Sequence, residues 1–313
     1  MNDADKFRLF RAGTGTNECQ DMIKALGCNQ LLSQLNEKST IMKWVKYLRE
    51  HPEATNKLFI DSGAFSAHTK GKEVDVDSYI QFMNEIDDVV WVFAQVDKIP
   101  GRFGQPKTPQ ELADAPRESW ENYLYMVDKV KSRDKLLPIF HQGEDFKWLH
   151  NMLNYKHADG KPIWYIGISP ANDVSVSEKK KWLEVVFKII KESPNPNVHT
   201  HAFGMTTISV LEQYPFTSAD STSWLLSAAN GSIIVDGKTL PISDRRIHDN
   251  GNLLNRNPAL KASVEEKAKK YGYTLEQLSE DPAARRLFNI QTLRDWEVNY
   301  AYRGVDLYKN LLW

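Results

Sequence analysis

The chain has 313 residues, of which 41% are apolar and 26% charged, a composition typical of a globular enzyme with a substantial core. Its formal net charge of −1 excludes the global basic field of many nucleic-acid-binding proteins, so any polyanion would have to contact a local patch. The two cysteines, Cys19 and Cys28, argue against a disulfide scaffold, and no apolar run approaches the ~18 residues of a membrane helix. We therefore expect a cytoplasmic protein with reduced thiols and no membrane contact.

Apolar segments of strand length alternate with amphipathic segments of helix length over most of the chain. The predicted strands are residues 7–11, 58–60, 89–94, 136–140, 163–168, 198–203 and the segment that contains Asp220. The predicted helices between them are residues 41–50, 76–86, 111–131, 146–153 and 178–191. Serial βα units with polar residues after nearly every strand favour an α/β fold of the (β/α)8 barrel type over an open, doubly wound sheet. We predict that residues 1–243 form this barrel.

The pattern changes after residue 223. Asp236-Gly237 between apolar pairs predicts a β-hairpin within residues 231–242. Residues 244–313 are predicted to be a basic and aromatic C-terminal extension packed on the barrel, with helices at residues 264–271, 275–278 and 283–293. A basic run is usually a solvated face, but phosphate contacts explain it better if it lies on the same side as Asp220. The candidates for these contacts are Arg245, Arg246, Lys269 and Lys270.

Three predicted strands end at an aspartate: Asp61, Asp97 and Asp220. One such residue is more simply a helix cap or a turn, but repetition within βα units favours a site at the barrel rim. His199-Thr200-His201 would also place two imidazoles on one strand face. Together with Asp61, Asp220 and His141, these imidazoles leave a metal-dependent hydrolase as an alternative.

Taken in order, these motifs resemble the tRNA-guanine transglycosylase superfamily, and most closely its phage and bacterial branch, which inserts 7-deazaguanines into DNA. The stretches that carry the resemblance are Asp61-Ser62-Gly63-Ala64-Phe65, the strand ending at Asp97, Gln142-Gly143, Ile166-Gly167-Ile168-Ser169-Pro170, His201-Ala202-Phe203-Gly204, Asp220-Ser221 and the segment after Asn230-Gly231. Each stretch is a weak signal alone, whereas their common order is fairly specific.

The resemblance implies exchange of guanine for a free 7-deazaguanine such as preQ0, through a covalent aspartyl-nucleoside intermediate. Asp220 would be the nucleophile and Asp61 the general acid and base, because an oxocarbenium-like transition state and a departing base require an anion and a proton donor. The implied base-binding residues are Ser62, Asp97, Gln142, Gly167, His201 and Gly204. A target in duplex DNA would have to be flipped out, with Phe65 or Phe103 as stacking candidates, although a core role is favoured for each.

Two departures from the family pattern bear on cofactor and substrate. The family's structural zinc site uses three cysteines and a histidine after the nucleophile, but no cysteine follows Cys28, so we expect no metal and no other cofactor. The tRNA-type extensions are also missing, which favours DNA over tRNA as the partner, in the cytoplasm of a host cell if the chain is viral. A catalytically silent nucleic-acid-binding barrel is a further alternative, but rim aspartates would repel phosphate. The sequence leaves open whether the protein is a homodimer.

Overall fold

A computed structural model describes residues 6–102, 104–171, 173–205, 207–243 and 252–300. Nine parallel strands form the main sheet and two antiparallel strands form a separate hairpin. The strands are β1 (Arg8–Ala12), β2 (Asn29–Ser33), β3 (Leu58–Asp61), β4 (Val92–Ala94), β5 (Leu136–Leu137), β6 (Ile139–His141), β7 (Tyr165–Ser169), β8 (His199–Ala202), β9 (Ser218–Ser221), β10 (Ser232–Val235) and β11 (Lys238–Pro241). The helices are α1 (Asn17–Ala25), α2 (Gln34–Glu50), α3 (Ala64–Thr69), α4 (Val76–Ile86), α5 (Pro109–Val127), α6 (Lys147–Asn154), α7 (Val176–Glu192), α8 (Ile208–Leu211), α9 (Ser223–Ala229), α10 (Leu253–Arg256), α11 (Pro258–Lys270), α12 (Leu275–Glu280) and α13 (Pro282–Asn299).

The main sheet curls into a nearly closed barrel. Its strand order is β5-β4-β3-β2-β1-β9-β8-β7-β6, so the two edges are the consecutive segments β5 and β6. Pro138 separates them because proline has no N–H to donate to the ladder, while its carbonyl accepts from the Gly167 N–H at 2.8 Å. If β5 and β6 are counted as one interrupted strand, the barrel has eight strand positions. The predicted α/β fold and barrel architecture are confirmed.

The strand β2 was not predicted, because it begins with two polar residues, Asn29 and Gln30. Gln30 is nevertheless fully buried, and its Nε2 donates to the backbone carbonyls of Arg11 at 2.6 Å and Gly13 at 2.9 Å. A buried amide that is satisfied by the neighbouring strand costs little, but hydropathy does not detect it.

Aromatic rings fill the barrel interior below its C-terminal rim. The Phe59 ring lies 5.5 Å from that of Phe10 and 4.7 Å from that of His201, and the His201 ring lies 4.5 Å from that of Phe203. A Cβ on Gly167 would lie only 2.5 Å from the Phe203 ring, so the aromatic filling requires glycine at this position of β7. Any ligand must therefore bind above this layer, at the rim.

Helix starts agree with local sequence signals. Thr108 and Glu111 form a capping box before α5, and Ser175 and Glu178 form another before α7. The hairpin is also confirmed, since Asp236 and Gly237 take the positive φ values of 48° and 72° that a two-residue turn between β10 and β11 requires.

The long helix α13 packs against α1, α9 and β1. Its buried Glu297 accepts hydrogen bonds from the Leu9 N–H at 2.9 Å, from Asn29 Nδ2 at 3.1 Å and from Arg11 Nη1 at 2.6 Å. These three donors satisfy the Glu297 carboxylate, and loss of either charged partner would leave the other charge buried and uncompensated. The predicted C-terminal helices are therefore present, and the last of them, α13, is hydrogen-bonded to β1 and β2 of the barrel through Glu297.

Candidate active site at the barrel rim

Three aspartates lie at the same end of the barrel. Asp61 ends β3, Asp97 follows β4 by three residues and Asp220 lies in β9. Because the strands are parallel, all three belong to the C-terminal rim. The charges of Asp97 and Asp220 both contribute to raising the pKa of Asp61, so Asp61 lies within electrostatic range of each of them. The rim position that the sequence predicts for them is therefore the position observed.

Asp220 has one anchored oxygen and one open oxygen. Its Oδ1 accepts from the Gly204 N–H at 2.8 Å and lies 3.3 Å from Nε2 of His201. No residue in the described ranges hydrogen-bonds to Oδ2, and the side chain remains 11% exposed. The carboxylate is thus oriented and still accessible, as a nucleophile must be.

Asp61 is the carboxyl group best suited to proton transfer. Burial raises its pKa to about 7, with repulsion from Asp97 and Asp220 adding to the shift and a hydrogen bond from the Gly63 N–H, at 2.9 Å, opposing it. A carboxyl group with this pKa can donate and accept a proton near neutral pH. Gly63 has a φ of +83°, and a Cβ there would lie 2.6 Å from that of Leu35, so the turn requires glycine.

Asp97 is paired with an imidazole that the sequence did not associate with it. Its Oδ2 lies 3.0 Å from Nε2 of His141, and its Oδ1 accepts from Nε2 of Gln95 at 2.6 Å. Burial opposes protonation of His141, but the charge and hydrogen bond of Asp97 prevail and raise its pKa to about 9. The Glu144 carboxyl, whose pKa burial raises to about 7, accepts from the His141 backbone N–H at 3.1 Å. At neutral pH, Asp97 is therefore an acceptor held by an imidazolium.

Replacing His141 with glutamine should make stability less dependent on pH. The pKa of His141 is raised from 6.5 to about 9 in the folded state, so the pair stabilises fully below pH 6.5 and less as pH rises through 9. At pH 6 we expect His141→Gln to lower the free energy of unfolding by about 1–2 kcal/mol, allowing for screening at a side chain 30% exposed. Denaturant unfolding at pH 6 and pH 9.5 measures this difference, which should shrink at the higher pH. The control is His150→Gln, on the exposed face of α6, which should change the free energy of unfolding by the same amount at both pH values. If His141→Gln lowered the free energy of unfolding equally at both pH values, the charged pair would be contradicted.

The other predicted base-binding residues are placed less simply. Gln142 follows β6, and its Oε1 accepts from the Ala171 N–H at 3.1 Å, so its side chain is hydrogen-bonded to the segment after β7. Gly167 lies within β7 rather than in a loop, and the ring that approaches its backbone is that of Phe203. Ser62 is buried, with its Oγ accepting from the Ala64 N–H at 3.4 Å. Their roles toward a base stay predictions.

His201 is fully buried behind Asp220, which gives it a contact with the carboxylate rather than with solvent. Gly204 contributes its backbone N–H to the same oxygen, in a turn where its φ is +59°. Both residues of the His-x-x-Gly stretch therefore converge on Oδ1 of Asp220. The sequence placed them in the site but could not reveal this contact, because it depends on the pairing of β8 with β9.

A cavity of about 810 Å³ opens beside Asp97, between α3 and the segment after β4. Ala64 lines it, together with the cationic side chains of Lys72, Lys98 and Arg102. The next residue, Phe65, is 60% exposed, so the favoured core role is wrong for Phe65: its ring projects from the first turn of α3 instead of packing inward. Phe103 lies outside the described residues.

The basic C-terminal extension is in part internal structure. Lys269 and Lys270 are both exposed on α11, and Lys270 forms a surface ion pair with Asp295. The buried Arg285 donates to the backbone carbonyls of Ala228, Leu278 and Ser279. Arg245 and Arg246 lie outside the described residues. Phosphate contacts by Lys269, Lys270 and the two arginines stay predictions.

Within the ranges that the structure describes, no three His, Cys, Asp or Glu side chains come together in a way that could hold a metal ion. The three histidines considered as metal ligands have separate partners: Thr217 for His199, Asp220 for His201 and Asp97 for His141. The two cysteines are both buried, Cys19 in α1 and Cys28 just before β2. In the same ranges, no helix has the length and apolar character needed to cross a membrane.

Neither the protein-family models nor the curated proteins include a match to this chain.

Proposed function

We propose that this protein is a guanine transglycosylase that exchanges guanine in DNA for a free 7-deazaguanine base. The observation that carries the proposal is that two carboxyl groups at the same rim, Asp220 and Asp61, lie in different environments. Asp220 has an anchored oxygen and an open one, and Asp61, close enough to interact electrostatically with it, has a pKa of about 7. A nucleophile and a proton-transferring acid in one pocket are what a retaining transfer at an anomeric carbon requires. The ordered motifs of the transglycosylase superfamily support the same reaction.

In the first half-reaction, Oδ2 of Asp220 attacks C1′ of the target nucleoside. A bond forms between Oδ2 and C1′ while the C1′–N9 bond breaks, and its electron pair leaves with guanine. Protonated Asp61 transfers its proton to the departing base, so guanine leaves neutral and Asp61 becomes a carboxylate. The negative charge of Asp220 stabilises the oxocarbenium-like transition state before the covalent bond forms.

The second half-reaction reverses these steps with another base. The incoming 7-deazaguanine gives its N9 proton to Asp61, and N9 then bonds to C1′. The C1′–Oδ2 bond breaks and its electron pair returns to Asp220. Protons and electrons balance over the cycle, and the enzyme returns to its starting state without a cofactor.

Base recognition would fall to the Asp97 side of the rim. Guanine and 7-deazaguanine present N–H donors at N1 and at the 2-amino group, and Asp97 offers carboxylate oxygens held by His141 and Gln95. The adjoining cavity of about 810 Å³ has the size of a small-molecule site. A guanine target in a duplex would have to be flipped out to reach it.

Phe65 should stack on a base of the substrate. Its ring is 60% exposed, so Phe65→Ala should leave the melting temperature almost unchanged while raising KM for the nucleic acid by roughly tenfold, because base–aromatic stacking contributes about 1–3 kcal/mol. Steady-state exchange kinetics and thermal unfolding measure the two effects. Val185→Ala, at an exposed apolar residue of α7, is the control and should change neither; a Phe65→Ala variant with unchanged KM would contradict the stacking role.

Incubation of the protein with duplex DNA or with tRNA, each with preQ0, tests the proposed reaction and its polymer. Nucleosides released by digestion are then quantified by mass spectrometry. We expect modified deoxynucleoside in the DNA sample and none with Asp220→Ala. Modification of tRNA alone would retain the chemistry and overturn DNA as the substrate, and modification of neither would overturn the proposed function.

A further inference from the structure

A buried chain of polar side chains runs from the barrel interior to Asp220. The Tyr165 hydroxyl hydrogen-bonds to that of Ser218, and Ser218 Oγ lies 2.5 Å from Nδ1 of His201. The opposite ring nitrogen, Nε2, lies 3.3 Å from Oδ1 of Asp220. Tyr165, Ser218 and His201 are all at most 1% exposed, among the aromatic rings that fill the barrel. Among the described contacts, these side chains connect the barrel interior to the rim at the carboxylate of Asp220.

The chemistry of these groups fixes the direction of the hydrogen bonds. A carboxylate only accepts, so Nε2 of His201 carries a proton and donates to Asp220. Burial lowers the pKa of His201 more than its contact with Asp220 raises it, so the ring is neutral and Nδ1 accepts from the Ser218 hydroxyl. Ser218 Oγ in turn accepts from the Tyr165 hydroxyl. Tyr165 thus donates to Ser218, Ser218 to His201, and His201 to Asp220.

A comparison with the other carboxylate–imidazole pair indicates what this arrangement achieves. His141 is charged at neutral pH and holds Asp97 as an ion pair. His201 is neutral, so it orients Asp220 without placing a full positive charge beside it. A carboxylate that must attack a carbon atom benefits from orientation but loses reactivity when paired with a cation. Such a chain inside an apolar barrel also costs desolvation that hydrocarbon side chains would avoid.

We infer that Tyr165, Ser218 and His201 are positioning residues that fix Oδ1 of Asp220 and thereby direct Oδ2 toward C1′ of the substrate. The inference deepens the proposed function and rests on it. Gly204 contributes the second donor to the same oxygen through its backbone N–H. Side-chain substitution does not remove a backbone donor. Substitutions at Tyr165, Ser218 or His201 should therefore leave Asp220 hydrogen-bonded to the Gly204 N–H but less well oriented.

Exchange kinetics of three variants test this inference. We expect kcat to fall by about 10²-fold in His201→Phe, by about tenfold in Ser218→Ala and by roughly threefold in Tyr165→Phe, with KM for the free base unchanged. His201→Gln, whose amide can still donate to Asp220, should recover part of the loss. In the double variant with His201→Phe, Tyr165→Phe should cost nothing more, because the chain is already broken.

The control is Tyr214→Phe, which removes a buried tyrosine hydroxyl whose partner is the Lys180 carbonyl at 2.9 Å, away from Asp220. It should retain the parent kcat. A His201→Phe variant within threefold of the parent kcat, or additive losses in the double variant, would overturn the positioning chain while leaving the proposed function intact. A parent protein with no exchange activity would overturn the proposed function and the positioning chain together.

Discussion

Asp220→Asn should abolish base exchange, lowering kcat by about 10⁴-fold or more, because an amide oxygen does not form a stable ester at C1′. The substitution is nearly isosteric. The asparagine Oδ1 can still accept from the Gly204 N–H and from Nε2 of His201, so the rim should keep its structure. The loss would therefore be chemical, and the melting temperature should change little. Exchange assays under single-turnover conditions measure it, and intact-protein mass spectrometry should detect a nucleic-acid adduct only in the parent.

The matched control for this variant is Asp236→Asn. Asp236 lies in the hairpin turn with a φ of 48°, a conformation that asparagine also tolerates, and it pairs with Lys267 outside the rim. This control should exchange bases at the parent rate. An Asp220→Asn variant that retained a tenth of the parent kcat would contradict nucleophilic catalysis by Asp220.

Asp61→Asn should lower kcat by about 10²- to 10⁴-fold, the usual range for loss of a general acid and base. Proton transfer by Asp61 should also give the parent a pH–rate profile with a limb near its pKa of about 7. The variant should lose this limb, since asparagine does not titrate. A profile with the same limb in both proteins would assign the proton transfer to another group.

The same substitution should stabilise the protein at alkaline pH. The pKa of Asp61 is raised from 3.8 to about 7 in the folded state, so ionising it in place destabilises the fold. Its contribution is most favourable below pH 3.8 and is lost as pH rises toward 7. At pH 8, Asp61→Asn should therefore raise the free energy of unfolding by about 1–3 kcal/mol, with a smaller gain at pH 5. Thermal unfolding at both pH values measures the gain, and a variant less stable than the parent at pH 8 would contradict the raised pKa.

Sequence reasoning located the rim aspartates because their signal is local. An apolar strand that ends in a carboxylate is visible in a few residues, and serial βα units place all such ends at one edge. The hairpin turn at Asp236-Gly237 was found for the same reason. The strand β2 was missed because the buried Gln30 is satisfied by the backbone carbonyls of Arg11 and Gly13, contacts that span 17 residues or more of sequence.

The pairings within the site could not be obtained from sequence. His141 and Asp97 are 44 residues apart, and the hydrogen bond between them depends on the segments that follow β4 and end β6 lying next to each other at the rim. His201 was expected to contact substrate, yet the pairing of β8 with β9 places its ring behind Asp220. A core role is favoured for Phe65 over base stacking from sequence, yet its ring is exposed on the short helix α3.

Exchange of guanine for isotopically labelled guanine tests the central claim most directly, because it requires no knowledge of which 7-deazaguanine is the natural substrate. The protein is incubated with labelled free guanine and either duplex DNA or tRNA, and the label in the guanine nucleoside released by digestion is measured by mass spectrometry. We predict that label enters the DNA with the parent protein and with Asp236→Asn, and that none enters with Asp220→Asn. Absence of label with the parent in both DNA and tRNA would contradict base exchange as the function of this rim.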